Sequence, residues 1–125
     1  DELVRQISLA RSTAVRMALD YAAAGFAVVL DDFFDPSGLR EYRELVARSE
    51  AHGVVLYPSE AEVRRRNAAR IGAPDPTAEM AIGHAYGFMP PMLDGLAADG
   101  WLILDTTTLD VAGTVAAIRA ASERR

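Results

Sequence analysis

Lysine and cysteine are both absent from this 125-residue chain. Without cysteine there is neither a disulfide framework nor a thiolate metal site, and the composition fits a reducing cytoplasm. With only two histidines, His52 and His84, a histidine-rich metal site is not expected. No apolar run reaches membrane-spanning length and no charged segment leads into a short apolar one, so a soluble chain with no membrane partner is expected. All 13 basic residues are arginine, against 18 acidic residues. The resulting net charge of −5 argues against general nucleic-acid binding, which needs a basic footprint to neutralise many phosphates. None of the nine glycines falls into the G-x-x-x-x-G-K-[ST] loop that cradles nucleotide phosphates.

What is present is a chain half apolar in composition, long enough for one compact domain over residues 1–125. It opens on Asp1-Glu2, already inside a helical pattern, as the interior of a longer reading frame would. Leu3, Ile7, Ala10, Ala14, Met17 and Tyr21 recur at three- and four-residue spacing, which predicts an amphipathic helix from Glu2 to about Ala24, stopped by Gly25. Phe26-Ala27-Val28-Val29-Leu30 is short, apolar and β-branched, as suits a buried parallel strand, and Asp31-Asp32 stand at its carboxyl end. Pro36 and Ser37 open a helix over residues 39–50 whose Leu39, Tyr42 and Val46 would lie on the sheet. Gly53-Val54-Val55-Leu56-Tyr57 is the next strand. Ser59 is the N-cap of a helix to about Ile71, with Glu62 as its capping-box partner.

Gly72-Ala73-Pro74-Asp75-Pro76 reads as a mobile loop, followed by a helix over residues 77–85, a break over 87–91 and a helical turn over 92–98. Trp101-Leu102-Ile103-Leu104 is a third strand ending in Asp105. Residues 111–122 close the chain as a helix with Val111, Val115 and Ile118 on one face. Helix alternating with buried strand predicts an α/β fold with a parallel sheet. Three strands make a small sheet for so many apolar strand residues, and a further strand would relieve the shortage.

Arg64-Arg65-Arg66-Asn67-Ala68-Ala69-Arg70 is a basic helical stretch in an acidic chain. Arg66 and Arg70, at i and i+4, share a face able to hold phosphate oxygens. The bland alternative is a solvated helix whose arginines pair with Glu60 and Glu62. Asp31 and Asp32 lie where parallel sheets place ligands, or else cap backbone amides at a turn near Asp35-Pro36-Ser37.

Three segments together resemble the P-loop kinase-like phosphotransferases, the family of gluconate kinase, adenylylsulfate kinase, polynucleotide kinase, chloramphenicol phosphotransferase and the zeta toxins. They are Gly25 through Asp32, the stretch Leu56-Tyr57-Pro58 leading through Glu60 to Arg66-Asn67 and Arg70, and Trp101 through Asp105-Thr106. The resemblance covers nearly the whole chain but lacks the family's first strand, its Walker A loop and the helix after it. It implies a three-layer α/β/α, P-loop NTPase kinase-like fold, incomplete at the N-terminus, with a lid over residues 64–80.

The resemblance also implies a bacterial, cytoplasmic, ATP-dependent phosphotransferase acting on a small hydroxylated acceptor. Asp31 or Asp32 would serve as base, Asp32 would hold Mg²⁺, and Arg66 and Arg70 would contact ATP and the transferred phosphate. Asp105 and Thr106 would line the nucleotide base pocket. His84 is a weaker candidate for a base, and Arg40 and Arg43 for acceptor contacts. A different reading is a non-catalytic α/β nucleotide-binding or protein-interaction module. A third, a hydrolase with Asp31 as nucleophile, is disfavoured because adjacent aspartates on a strand point to opposite faces.

Overall fold

A computed structural model describes residues 1–33, 36, 39–70, 72 and 76–124. The turn expected at Asp35-Pro36-Ser37, the end of the third helix at Ile71 and the heart of the loop at Ala73, Pro74 and Asp75 fall at least partly outside the described residues. The chain divides into two compact units, Asp1–Ala51 and His52–Arg125. Among the described residues no helix is long and apolar enough to cross a membrane.

The first unit holds helices α1 (Glu2–Ala23) and α2 (Leu39–Arg48), which pack on each other. The Asp1 side chain caps α1 by accepting from the Leu3 amide. At the other end Gly25, with φ of +89°, lets the Gly25 and Phe26 amides reach back to the Ala22 and Tyr21 carbonyls. The Phe26 ring meets Tyr21 edge-on at 5.7 Å, completing a Schellman exit with its apolar contact. The buried face of α1 is not the expected one. Leu3, Ala10, Met17 and Tyr21 are exposed, and Arg11 is the buried residue of the helix. The stripe has rotated to Ile7, Arg11, Ala14, Val15 and Ala18 because Arg11 is drawn inward by a carboxylate described below.

The second unit contains β1 (Val54–Leu56), α3 (Glu60–Ala68), α4 (Pro76–Ala98), β2 (Leu102–Leu104) and α5 (Val111–Ser122). The strands β1 and β2 pair in parallel, with Val54, Val55 and Leu56 opposite Leu102, Ile103 and Leu104. Helix α4 leaves through Gly100, φ +87°, with the Trp101 amide on the Leu96 carbonyl, the same exit that ends α1. The buried apolar residues are Val55, Met89, Leu93 and Leu96. All four lie in this unit, three of them on one stripe of α4, the helix packed against β2.

The expected three-layer α/β/α P-loop NTPase kinase-like fold is not what the chain forms. Five helices account for most of the described residues, and the sheet is two strands of three residues. The physical reason lies in residues 26–30. This apolar segment forms no ladder, and Val29 is 91% exposed. A strand is stabilised by a hydrogen-bonded neighbour, and two short strands are too narrow to carry helices on both faces. The lack of sheet surface also shows at α5, where Val111 and Val115 stay in water.

The break expected over residues 87–91 is absent too. Helix α4 runs through Pro90 and Pro91 as one 23-residue element. Two prolines remove two amide donors, but Met89, Leu93 and Leu96 on both sides of them are buried on one stripe and hold the two halves in line.

Gly53 enters β1 with the Trp101 indole laid against it. A Cβ there would overlap Cδ2, Cε2 and Cε3 of that ring. Gly53→Ala is therefore expected to destabilise the His52–Arg125 unit by about 1–3 kcal/mol through overpacking. Urea unfolding followed by Trp101 fluorescence measures it, and an unchanged midpoint would show that the ring moves aside freely.

Candidate functional site

The residues singled out by sequence fall into two groups, one in each unit. In the first, Asp32 Oδ2 accepts 2.7 Å hydrogen bonds from both Arg11 Nε of α1 and the Tyr42 hydroxyl of α2. The Phe33 ring lies 5.4 Å from the Arg11 guanidinium. The Arg11 side chain is 5% exposed, so its charge is withdrawn from water and requires the carboxylate. Asp32 therefore serves as the anchor that ties residues 31–33 to both helices. Asp31 beside it is exposed.

Burial alone would raise the Asp32 carboxyl, but hydrogen bonds from Arg11 and Tyr42 and the guanidinium charge outweigh it and hold the group below its ordinary range. Tyr42 moves the other way. Burial, then the hydrogen bond to Asp32 and that carboxylate's charge, push its hydroxyl up to about 12. Neither Arg11 nor Tyr42 stood out in the sequence as a partner for Asp32. The available signal was Arg11 itself, a charge four residues after Ile7 in an otherwise apolar stripe.

In the second unit the carboxyl ends of β1 and β2 meet the start of α3. The Ser59 side chain accepts from the Glu62 amide, as the N-cap reading requires. The reciprocal half of the capping box does not form. The Ser59 amide donates to Thr107 Oγ1 at 2.8 Å, and the Glu62 carboxylate turns to arginine. Arg65 Nε and Arg66 Nε each lie 2.7 Å from Glu62. Hydrogen bonds from Arg65, then Arg66, carry Glu62 down to about 2. Arg64 bridges Glu60 at 2.7 Å and Glu79 of α4 at 2.5 Å. Buried Asn67 donates to Glu79 at 2.9 Å. Hydrogen bonds from Asn67 and then Arg64 keep Glu79 below its ordinary value.

Arg66 also donates through Nη2 to the Thr106 carbonyl at 2.7 Å. Arg66, Thr106 and, by sequence adjacency, Asp105 are thus gathered at the strand ends. Thr106 is buried, while Asp105 accepts from the Thr107 amide and hydroxyl, which lower its carboxyl. Arg70, one turn beyond Arg66, is exposed and outside this cluster. Tyr86 of α4 stacks on Tyr57 at 5.0 Å and donates its hydroxyl to the Pro58 carbonyl. His84 contacts Phe88 edge-on along α4. Among the described residues no three acidic or histidine side chains are grouped to hold a metal ion.

The two titrations of the first unit have opposite signs. Asp32 binds its proton less tightly when folded, so its contribution is present above pH 3.8 and fades as pH falls below that value. Tyr42 binds its proton more tightly when folded, so its contribution is present below pH 10 and is lost between about 10 and 12. The urea midpoint of the helical circular dichroism is expected to fall in both windows, and Tyr42→Phe to remove the alkaline fall. An alkaline fall that survives Tyr42→Phe would place the titrating group elsewhere.

Comparison with family models, with curated proteins and with solved structures gives no match to this chain.

Proposed function

We propose that the chain is a non-catalytic protein-interaction module of the cytoplasm, which recognises an apolar polypeptide strand through residues 26–30. The observation that carries this reading is the exposure of that segment: Phe26 is 61%, Val28 40%, Val29 91% and Leu30 38% exposed. Five consecutive apolar residues with two valines have high strand propensity, and pairing is the means by which such a segment satisfies its backbone and covers its side chains. The Met17 and Tyr21 side chains of α1, both 54% exposed, extend the apolar surface beyond Phe26. The arginines fit a structural role, since Arg64, Arg65 and Arg66 each have carboxylate partners.

The test uses a fluorescent valine pentapeptide with lysine at each end, titrated against the protein. Saturable binding is expected, weakened at least tenfold by Val29→Lys. Binding that is absent, or indifferent to that change, rejects the reading.

A second reading keeps one favourable observation. Arg66, Asp105 and Thr106 come together at the carboxyl ends of parallel strands, the end at which such sheets hold ligands. On that reading the chain takes part in ATP-dependent transfer of phosphate to a small hydroxylated acceptor with Mg²⁺, and the loop that holds the phosphates comes from other polypeptide. Calorimetric titration with ATP and Mg²⁺ decides it. A binding heat lost in Arg66→Ala supports phosphate chemistry, whereas no heat at millimolar ATP removes it.

A further inference from the structure

Helix α1 places Ser12, Val15, Arg16 and Leu19 on one face, at i, i+3, i+4 and i+7. Helix α2 places Glu41, Glu44, Leu45 and Arg48 on one face at the same spacing. These two stripes, with Ser49, line a cavity of about 460 Å³ within the first unit. That volume lies in the range of small-molecule sites, roughly 300–1,000 Å³. The Asp32 clamp fixes the two stripes at one end, since Arg11 precedes Ser12 and Tyr42 follows Glu41.

The charged side chains of the cavity are left without partners. Among the described residues, Arg16, Glu41, Glu44 and Arg48 make no side-chain hydrogen bond or ion pair. Glu44 and Arg48 stand at i and i+4, the spacing at which Glu60 with Arg64 and Glu62 with Arg66 close to 2.7 Å on α3, yet they stay apart. Glu41 is the sharper case. Its Oε2 is shut off from water and has no hydrogen-bond partner. A carboxylate oxygen buried in this way carries a desolvation cost that a bound cation removes.

We infer that this cavity binds a short apolar peptide by its free ends, with the ammonium at Glu41 and the carboxylate at Arg48. The length fits. Glu41 and Arg48 are seven residues apart on α2, about 10 Å along the helix axis. A fully extended tripeptide reaches about the same distance, at roughly 3.4 Å per residue. A guanidinium takes a carboxylate through two parallel hydrogen bonds. Val15, Leu19 and Leu45 supply apolar surface for the peptide's side chains. Arg16 and Glu44, inside the two stripes, offer a donor and an acceptor where a peptide carries C=O and N–H groups, which a hydrocarbon amino acid of equal length lacks. Residues 26–30 do not line the cavity, so the inference stands apart from the strand-recognition reading.

Calorimetric titration with trileucine tests it. Saturable binding below millimolar concentration is expected. N-acetyl-trileucine, without the ammonium, and trileucine amide, without the carboxylate, should each bind at least tenfold more weakly, as should free leucine, which is too short to reach both ends. Glu41→Gln keeps the side-chain shape and removes the charge. It should weaken trileucine at least tenfold, leave N-acetyl-trileucine unchanged and retain the helical circular dichroism. The capped peptides put the same question to unaltered protein, whatever the variant does to folding. No saturable heat at millimolar trileucine overturns the inference, as does equal affinity for free and capped peptides. Binding that survives Glu41→Gln but is lost in Val29→Lys belongs to residues 26–30 and also overturns it.

Discussion

The His52–Arg125 unit depends on the parallel pairing of two three-residue strands. Val54, Val55 and Leu56 lie against Leu102, Ile103 and Leu104, and the Leu102 amide extends the ladder backward to the Gly53 carbonyl while the Tyr57 amide extends it forward to Leu104. That pairing brings distant parts of the sequence together. It puts Trp101 against Gly53, aligns the buried stripe of α4 over β2, and carries Thr106 and Thr107 to the beginning of α3. Without the ladder, Arg66 would have no Thr106 carbonyl to reach and Ser59 no hydroxyl for its amide. The electrostatic arrangement at the strand ends is thus a consequence of backbone pairing.

The first unit is organised on a different principle. Among its described residues no large apolar side chain is buried, and the one buried residue is a charged arginine. Arg11 can be tolerated inside because Asp32 neutralises it and Tyr42 supplies a second hydrogen bond to the same carboxylate oxygen. The network joins α1, the segment after it and α2 through one atom. Such an arrangement specifies geometry more than it adds stability, since desolvating the ions offsets much of their attraction. A unit held this way keeps its apolar side chains available on the outside, which is what an interaction surface requires.

Local signals in the sequence were readable wherever the cause was local. Gly25 ended α1, Ser59 began α3, and three- and four-residue periodicity located α1 and α5, because turns, caps and helix faces are set by a few adjacent residues. Outcomes set by distant partners were not readable. Residues 26–30 and 101–104 present the same local pattern, an apolar run after a glycine-terminated helix, yet the second forms a strand and the first does not. The difference is that 102–104 has Val54–Leu56 beside it. Pro90 and Pro91 failed as a stop signal for a similar reason, since burial of Met89, Leu93 and Leu96 outweighs what the prolines remove locally. Of the site candidates, Arg66 and Thr106 were named separately and are brought together by the pairing of β1 with β2, and the capture of Asp32 by Arg11 likewise required the fold.

The arginine run illustrates how one sequence pattern supports two chemistries and how geometry weighs between them. Four guanidinium groups in seven residues look like a phosphate clamp when the helix is considered alone. In the folded unit Glu60, Glu62 and Glu79 take up Arg64, Arg65 and Arg66, and the depressed Glu62 carboxyl reflects the strength of that engagement. An incoming anion must compete with carboxylates already at hydrogen-bonding distance and must approach through their negative field. Arg70 stands outside the carboxylate network, but a single exposed arginine lacks the convergent donors that make an anion site specific. The basic stretch therefore ties α3 to α4 and to the strand ends, and the apolar segment at residues 26–30 is among the surfaces left exposed.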